Sequence, residues 1–174
     1  MIEIRKIDEI RQADVRLKNE AFAMPGRLIP ALRDGVWTWR AELYPEPKEM
    51  TFPDEDYDLT ELEKNGVVFG AYDGEKCVGL AIYQRPLFKY LYLYDLKVSK
   101  AYRGRGVGKM LVQAGLQEAR ERGCLGVYTQ GQDNNLNACM FYLKTGFRIG
   151  GFDNRLYEGT SQAGKGDVIF YAEA

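Results

Sequence analysis

The sequence predicts a mixed α/β fold in which helices flank one central, mostly antiparallel sheet. The predicted elements follow the order strand, helix, several strands, helix, strand, helix, strands, without the strict alternation of a doubly wound parallel sheet. Asp73-Gly74 joins two apolar runs, Val67–Tyr72 and Cys77–Gln84, as the turn of an antiparallel hairpin. With 174 residues, the chain is expected to form a single domain around one core.

The first third of the chain alternates short predicted elements with turns. A strand over residues 2–7 is followed by a helix that Asp8 can cap and that Pro25-Gly26 ends. Aromatic residues and partial alternation over residues 36–44 indicate an extended segment. The remaining elements expected in this part are a proline-punctuated loop over residues 45–58 and a short helix over Leu59–Asn65.

More regular elements are predicted in the rest of the chain. A tyrosine-rich strand over Leu91–Val98 leads to the clearest helix, Val107–Arg122, whose apolar residues share one face. Asn134 or Asn135 can cap another helix that ends near Gly146. The remaining predicted strands are Val127–Gln130, Phe147–Phe152 and Val168–Ala172.

Composition and charge exclude several kinds of partner and site. The formal net charge is −1, which predicts no general attraction to nucleic acid or to anionic lipid. The N-terminal segment lacks the apolar region of a secretory signal, and no apolar stretch is long enough to span a membrane. The three widely spaced cysteines favour a cytoplasmic location. Because there is no histidine and no cysteine pair, no metal is expected.

A glycine-rich loop between the tyrosine-rich strand and the clearest helix predicts a phosphate-binding site. It consists of Arg103-Gly104-Arg105-Gly106-Val107-Gly108, with Lys109 next to it. Glycines allow a close backbone approach, and N–H groups at the positive end of a helix suit a pyrophosphate. The spacing fits neither a Walker A loop nor a GxGxxG dinucleotide fingerprint. By itself, the loop is equally consistent with a turn that only begins a helix.

Two motifs resemble the signatures of the GNAT superfamily of N-acetyltransferases. The glycine-rich loop matches Arg/Gln-x-x-Gly-x-Gly/Ala, and the run from Asn135 to Phe147 matches Asn-x-x-Ala-x-x-Phe-Tyr-x-Lys-x-Gly-Phe. The resemblance implies an enzyme with acetyl-CoA as acetyl donor and a splayed, bulged strand at Asp95-Leu96-Lys97-Val98. It further implies one domain over residues 1–174, with an acetyl-CoA-binding core at about 67–152 and a variable acceptor-side part at about 1–66.

The resemblance also implies the residues that contact the cofactor. These are Leu96, Lys97, Val98, Arg103, Gly104, Arg105, Gly106, Val107, Gly108, Lys109, Asn135 and Tyr142. Asn135 can bind the pantetheine arm or cap its helix. Tyr142 is the candidate general acid at the cofactor sulfur, although a tyrosine beside Phe141 on an apolar helix is also expected in a core.

The amine acceptor requires a base, because an alkyl amine with a pKa near ~10.4 is almost entirely protonated at pH 7. Asp95 is the nearest carboxylate on the predicted bulged strand and is the candidate base; the alternative is a surface or structural role. Residues 42–63 contain nine acids and one base, and residues 97–122 contain seven bases and two acids. The basic part suits an anionic cofactor and the acidic part a cationic acceptor, although a solvated acidic loop explains the latter equally well.

A closer resemblance, to the streptothricin acetyltransferases, implies a cationic small-molecule amine as acceptor and a role in antibiotic resistance. The segments that carry it are Gly26-Arg27-Leu28, Tyr57-Asp58, Gln132–Asn135, Ala138-Cys139, Phe141-Tyr142, Gly146–Asp153, Leu156-Tyr157 and Gly159. Those enzymes tend to have Glu-Asp where this chain has Tyr94-Asp95. The candidate acceptor-binding residues are Glu42, Asp58, Tyr94, Asp95 and Tyr157.

Two other functions are left open by the sequence. One is acetylation of a different amine, such as a polyamine, a metabolite, a protein lysine or a protein N-terminus. The other is a non-catalytic acetyl-CoA-binding sensor, against which the presence of Tyr142 argues. A homodimer is also left open.

Overall fold

A computed structural model of the chain describes the backbone of all 174 residues and every side chain except that of Leu87. The strands are β1 (Ile2–Lys6), β2 (Phe22–Arg33), β3 (Val36–Met50), β4 (Val67–Asp73), β5 (Lys76–Leu87), β6 (Tyr90–Val98), β7 (Gly126–Gln132), β8 (Arg148–Asp153) and β9 (Asp167–Glu173). The α-helices are α1 (Leu59–Glu63), α2 (Val107–Glu121) and α3 (Leu136–Lys144), and 3-10 helices cover Glu9–Arg16 and Lys100–Tyr102. Among the described helices, none has the length and apolar character that a membrane crossing requires.

The chain divides into two compact units. The first contains Met1–Ala21, Thr51–Val127 and Glu173–Ala174, and the second contains Phe22–Met50 and Tyr128–Ala172. Both units include residues from before and after position 66. The division into an acceptor-side part and a cofactor-binding core stays a prediction.

The sheet of the first unit follows the strand order β1-β4-β5-β6, and each neighbouring pair is antiparallel. Its central strand β4 is buried from Val67 to Tyr72, in agreement with a continuous apolar run. The predicted hairpin is present: Asp73 pairs with Lys76, and Gly74 adopts a φ of +62°. That left-handed backbone is accessible to glycine at little cost, which explains the sequence signal.

Helix α2 packs on this sheet through a close approach to β5. A Cβ atom added to Gly115 would lie 2.0 Å from the ring of Tyr83, so only glycine allows this contact. The Tyr83 hydroxyl donates a hydrogen bond to the Leu111 carbonyl oxygen at 3.1 Å. Of the apolar face predicted for α2, Val107, Leu111 and Ala119 are buried and Met110 and Ala114 are partly buried; Val112 is buried beside them. This packing fixes the direction in which the N-terminus of α2 points.

The N-terminal helix is shorter than the sequence predicts. Asp8 caps it as expected by accepting the Arg11 backbone N–H, but the segment is a 3-10 helix that ends at Arg16. Ile10 is 88% exposed, and Val15 is the residue that enters the core with Ile7 and Leu59. Val15 is the only buried residue of this eight-residue helix, and that is too little apolar packing to stabilise the predicted length of α-helix.

A long hairpin, β2–β3, is the largest departure from the predicted elements. Pro25-Gly26, expected to end a helix, lies inside β2 at a bulge, where a Cβ on Gly26 would be 2.2 Å from the Glu42 carbonyl oxygen. Residues 45–50, expected in a loop, continue β3. Proline is compatible with a strand at a sheet edge or a bulge, and both conditions hold in this two-stranded sheet.

The second unit also contains β7, β9 and β8, in that order, together with α3. Strands β8 and β9 pair antiparallel with a register shift between Ile149 and Gly151. Val168, Phe170 and Ala172 of β9 are buried at alternate positions, the pattern that predicts a strand. Helix α3 is anchored to β2 by a hydrogen bond from the Asn137 side chain to the Ala23 carbonyl oxygen at 3.2 Å.

Candidate functional site

The glycine-rich loop lies between β6 and α2, as the sequence predicts. Gly104 and Gly106 have φ values of +75° and +81°, and Gly106 is the N-cap residue of α2. A Cβ at either position would meet no atom within 4 Å, so the space beside both glycines is open. Positive φ therefore explains why these positions are glycine, and the open space allows a ligand to approach the backbone.

The N-terminus of α2 fits an anionic ligand. Gly106 has no side chain to bond the N–H groups of the first helical turn, and no side-chain cap is present there. Those N–H groups lie at the positive end of a fifteen-residue helix dipole. The combination of an uncapped helix start, open space and flanking cations is the chemistry that a pyrophosphate requires.

Arg103 has a structural role beyond the predicted charge. Its guanidinium donates to the carbonyl oxygens of Val98 at 3.0 Å, Ala21 at 2.7 Å and Glu20 at 3.3 Å. The side chain therefore fixes the loop to the end of β6. Arg105 and Lys109 are exposed, with the Arg105 guanidinium 5.3 Å from the centre of the Tyr102 ring.

Strand β6 carries the expected bulge, at Tyr94. Ile82 pairs with Asp95 and Tyr83 pairs with Leu93, which leaves Tyr94 as the extra residue. Leu96, Lys97 and Val98 follow the bulge in continuous register with β5. The bulge therefore begins one residue before Asp95-Leu96-Lys97-Val98, the segment for which a bulge is predicted. It interrupts the regular alternation of side chains at Tyr94 and Asp95.

Asp95 belongs to a cluster of polar groups in the first unit. Its Oδ2 accepts a hydrogen bond from the Tyr57 hydroxyl at 3.1 Å and lies 3.5 Å from Lys97 Nζ. Lys97 Nζ also donates to Glu55 Oε2 at 2.6 Å and to the Leu17 carbonyl oxygen at 3.2 Å. The exposed fraction is 9% for the Lys97 side chain and 22% for that of Asp95, so both charges are largely shielded from water.

The surroundings of Asp95 make it a stronger base than an exposed aspartate. Burial raises its pKa, Lys97 lowers it and Glu55 raises it, with a net upward shift. A carboxylate with a raised pKa accepts a proton more readily near neutral pH. The pKa of Tyr57 is also raised, first by burial and then by Asp95 and Glu55, so its hydroxyl stays protonated and continues to donate to Asp95.

Three tyrosines lie together beside this cluster. Tyr94 is about half exposed, and its ring contacts those of Tyr57 and Tyr92 edge to face, with centroids 6.3 Å and 5.8 Å apart. Aromatic faces attract ammonium groups. Tyr94 and Asp95, both predicted to bind the acceptor, are thus adjacent at the bulge and able to act on the same cation.

The other predicted acceptor residues have structural partners. Asp58 accepts the Glu61 backbone N–H and caps α1. The Tyr157 hydroxyl donates to Asp167 at 2.8 Å and accepts from the Gln132 side chain at 3.1 Å, within the second unit. Glu42 is exposed on β3 beside Arg40. Their acceptor-binding role stays a prediction.

Tyr142 and Asn135 lie on α3 in the second unit. The Tyr142 ring is buried and packs against Phe147 and Phe170, with centroids 5.3 Å and 5.2 Å apart. The Asn135 side chain accepts the Ala138 backbone N–H at 3.2 Å, so it is a helix cap. Burial raises the pKa of the nearby Cys139 thiol to about 12, so the thiol stays protonated at neutral pH and a buried packing role fits it better than that of a nucleophile.

The sequence did not reveal Tyr57, Glu55 and the side chain of Lys97 as neighbours of Asp95. The proximity of Lys97 to Asp95 could have been predicted, because residues two apart on a strand lie on the same face. Tyr57 and Glu55 lie in a segment of irregular structure between β3 and α1, where no period predicts which side chains face the sheet.

Replacing Asp95 with Asn should lower kcat by about a hundredfold, since a lost general base typically costs ~10²–10⁴-fold. The same change should raise the melting temperature at pH 7. The pKa of Asp95 is raised in the folded protein, so the folded state holds the carboxyl proton more tightly than the unfolded state does. The free energy of unfolding therefore falls as the pH rises from the ordinary aspartate pKa to the raised value, and at pH 7 the ionised Asp95 destabilises the fold. Asn cannot ionise and still accepts from Tyr57. Thermal unfolding and initial rates measure both effects.

Asp34→Asn is the matched control, because Asp34 is exposed in the turn between β2 and β3; its kcat should be unchanged. In Lys97→Met, the loss of a nearby positive charge should raise the pKa of Asp95 further, so the acid limb of the kcat/KM profile should move to higher pH. An unchanged kcat in Asp95→Asn would remove Asp95 from catalysis.

Comparisons with a family model, with relatives and with solved structures all point to the same family of acetyltransferases. The model of the acetyltransferase (GNAT) family matches residues 33–147. Streptothricin acetyltransferase A from Bacillus subtilis (strain 168) is 32% identical over 169 residues, which cover 97% of this chain and 98% of that protein. A protein from Bacillus anthracis assigned as a streptothricin acetyltransferase, solved in complex with acetyl coenzyme A, is 28% identical with a TM-score of 0.85, over 100% of this chain and 99% of the other.

Nourseothricin acetyltransferase shares the fold, with a TM-score of 0.81 at 22% identity over 99% of this chain and 98% of that one. The predicted family and the mixed α/β fold with a mostly antiparallel sheet are thereby confirmed. The family match over more than half of the chain, and the relative that spans nearly all of it, show that the chain belongs to the GNAT family and is an acetyl-CoA-dependent N-acetyltransferase.

Proposed function

We propose that the chain acetylates a primary amine of a cationic small molecule, and that streptothricin is this acceptor. The observation that carries the proposal is similarity along nearly the whole length of a streptothricin acetyltransferase, including the variable acceptor-side part. Similarity confined to the cofactor-binding motifs would support only the transferase class. The resulting activity would protect a bacterium from the antibiotic.

The residues of the first unit provide binding and proton acceptance. The N–H groups of the first turn of α2 hold the pyrophosphate, with Arg105 and Lys109 beside it. Bound acetyl-CoA supplies an activated thioester. Asp95 takes the proton of the acceptor ammonium, directly or through water, so that the neutral nitrogen can form the bond to the acetyl carbon.

Tyr142, in the second unit, donates its phenolic proton to the sulfur as the carbon–sulfur bond breaks, a role that rests on the family resemblance. Water takes the second proton of the nitrogen as the amide forms, and proton exchange with water then restores Tyr142 and Asp95. Burial among aromatic rings suits this role, since packing against Phe147 and Phe170 restricts the orientation of the phenol. The net reaction converts amine and thioester into amide and free thiol.

Acceptor recognition depends on the bulge of β6. Tyr94 presents an aromatic face next to Asp95, a combination that binds an ammonium by cation–π attraction and by charge. Much of the acidic segment is already committed: Glu55 pairs with Lys97, Asp56 pairs with Arg16, and Asp58 caps α1. Because Tyr94 keeps a half-exposed ring beside Asp95, we place selection of the cation mainly at Tyr94-Asp95.

The decisive experiment combines purified protein, acetyl-CoA and streptothricin. We expect streptothricin-dependent release of free thiol and a mono-acetylated antibiotic by mass spectrometry, together with increased streptothricin resistance in a sensitive bacterium that expresses the chain. Expression of Tyr142→Phe is the matched control and should give little resistance. Unmodified antibiotic would overturn the choice of acceptor; a panel of polyamines, lysine peptides and protein N-termini would then identify the amine.

All three cysteines are free thiols, which fits a reducing compartment where acetyl-CoA is available. We therefore expect the enzyme to act in the cytoplasm.

A further inference from the structure

The two oxygens of the Asp95 carboxylate have different surroundings. Oδ2 accepts a hydrogen bond from the Tyr57 hydroxyl at 3.1 Å and lies 3.5 Å from Lys97 Nζ. Oδ1 accepts no hydrogen bond from the described residues, and it is not one of the buried polar atoms that lack a partner, so it is open to solvent. A general base needs an oxygen within hydrogen-bond reach of the proton that it takes. Oδ1 is therefore the oxygen that can meet the acceptor.

Tyr57 is fixed at its backbone and at its ring, so it can hold the carboxylate in one orientation. Its carbonyl oxygen accepts a hydrogen bond from Arg16 Nε at 3.0 Å. Its ring centre lies 5.6 Å from Lys97 Nζ, and its ring contacts that of Tyr94 edge to face. A side chain whose rotamer is fixed by packing restricts the group to which it donates. Rotation of the Asp95 carboxylate would break the hydrogen bond from Tyr57.

Glu55 holds the ammonium of Lys97 away from Asp95. Lys97 Nζ lies 2.6 Å from Glu55 Oε2, a charge-assisted hydrogen bond, and its 3.5 Å distance to Asp95 is longer than a good hydrogen bond. Glu55 Oε2 also accepts from the Asn19 side chain at 2.9 Å, which fixes the carboxylate. Without Glu55, Lys97 could bond Asp95 directly and compete with the acceptor for the base.

The charges of this cluster leave room for one cation. The groups that act on Asp95 are Lys97 of its own strand and Tyr57 and Glu55 of the segment before α1, while the paired residue of β5 is the apolar Ile82. When Asp95 is ionised, two carboxylates face one ammonium, and the net charge is −1. A single acceptor ammonium at Oδ1 would neutralise the cluster.

We propose that Tyr57 and Glu55 are positioning residues for acetyl transfer. Tyr57 orients Asp95 so that Oδ1 receives the acceptor proton. Glu55 holds Lys97 off the base and maintains the negative charge that attracts the acceptor ammonium. Both residues act through Asp95, so the inference rests on the proposed role of Asp95 as the general base.

The pKa of the Asp95 carboxyl, followed by NMR of its labelled carboxyl carbon, tests both contacts without any acceptor. The signal is identified by its loss in Asp95→Asn. Tyr57→Phe removes a hydrogen bond that favours the ionised form, so the pKa of Asp95 should rise above its wild-type value. Glu55→Gln removes a negative charge and releases Lys97, so the pKa of Asp95 should fall.

Rates of acetylation test positioning separately from ionisation. In Tyr57→Phe, kcat should fall by about 10- to 100-fold even at pH values where Asp95 is fully ionised, because the carboxylate is no longer held in place. The KM for acetyl-CoA should be unchanged. Glu55→Gln should raise the KM for the acceptor by about two- to fivefold, the effect of losing one partly exposed charge. The acid limbs of the two kcat/KM profiles should move in opposite directions.

The matched controls lose similar contacts outside the cluster. The Tyr72 hydroxyl donates to Asp14 at 2.8 Å, and Glu118 pairs with Lys6 at 2.8 Å. Tyr72→Phe and Glu118→Gln should lower the melting temperature and leave the pKa of Asp95 and the acid limb unchanged.

Three results would overturn the inference: an unchanged pKa of Asp95 in Tyr57→Phe and Glu55→Gln, shifts in the same direction, or a wild-type kcat in Tyr57→Phe at alkaline pH. If the two pKa shifts are present but streptothricin stays unmodified, the choice of acceptor alone fails, and the rates are measured with the amine that the panel identifies.

Discussion

Replacing Gly106 with Glu should raise the Kd of acetyl-CoA by about a hundredfold or more, a loss of at least about 2.7 kcal/mol of binding free energy. The carboxylate would enter the open space beside the N-terminus of α2, where the phosphates are expected. It would repel the phosphates, and it would occupy the positive end of the helix dipole. Isothermal titration calorimetry with the folded variant measures this loss.

The matched control is Gly123→Glu. Gly123 also has a positive φ, of +69°, with no atom within 4 Å of an added Cβ, but it follows the C-terminal end of α2. Both variants therefore carry a similar backbone cost, roughly 1–2 kcal/mol for a side chain in the left-handed region. Gly123→Glu should lose stability and keep its affinity. Equal affinities in the two variants would show that the start of α2 does not bind the cofactor.

Replacing Tyr142 with Phe should lower kcat by about 10²–10⁴-fold, because the leaving thiolate loses its proton donor. The affinity for acetyl-CoA should stay within a factor of a few, and the melting temperature should change little, since the phenyl ring still packs against Phe147 and Phe170. Steady-state kinetics with saturating acceptor, and calorimetry for the cofactor, separate the two effects.

Phe147→Leu is the corresponding control for packing. It removes an aromatic neighbour of Tyr142 while the Tyr142 hydroxyl remains. It should therefore lower the melting temperature more than Tyr142→Phe does, and lower kcat less than Tyr142→Phe does. If Tyr142→Phe turned over at the wild-type rate, Tyr142 would be a core residue only, and the proton for the thiolate would have to come from water or another group.

Much of the fold was predictable because its signals are local. The Asp73-Gly74 turn, the apolar run over 67–72 and the buried face of α2 depend on periodicity and on the backbone freedom of glycine, which neighbouring residues determine. The glycine-rich loop between β6 and α2 was predictable for the same reason, while its binding of phosphate stays a prediction. The β2–β3 hairpin was not, because four prolines and a bulge interrupt its pattern, and their tolerance depends on the strands lying at an edge.

The sequence by itself determined the family and the cofactor, since both motifs are short runs of residues with fixed spacing. Only the tertiary structure decided the surroundings of Asp95. Tyr57 and Lys97 reach it from segments 38 and 2 residues away along the chain, and Glu55 reaches Lys97 across 42 residues. The pKa of a carboxylate depends on burial and on charges within a few ångströms, and those distances exist only after the chain has folded.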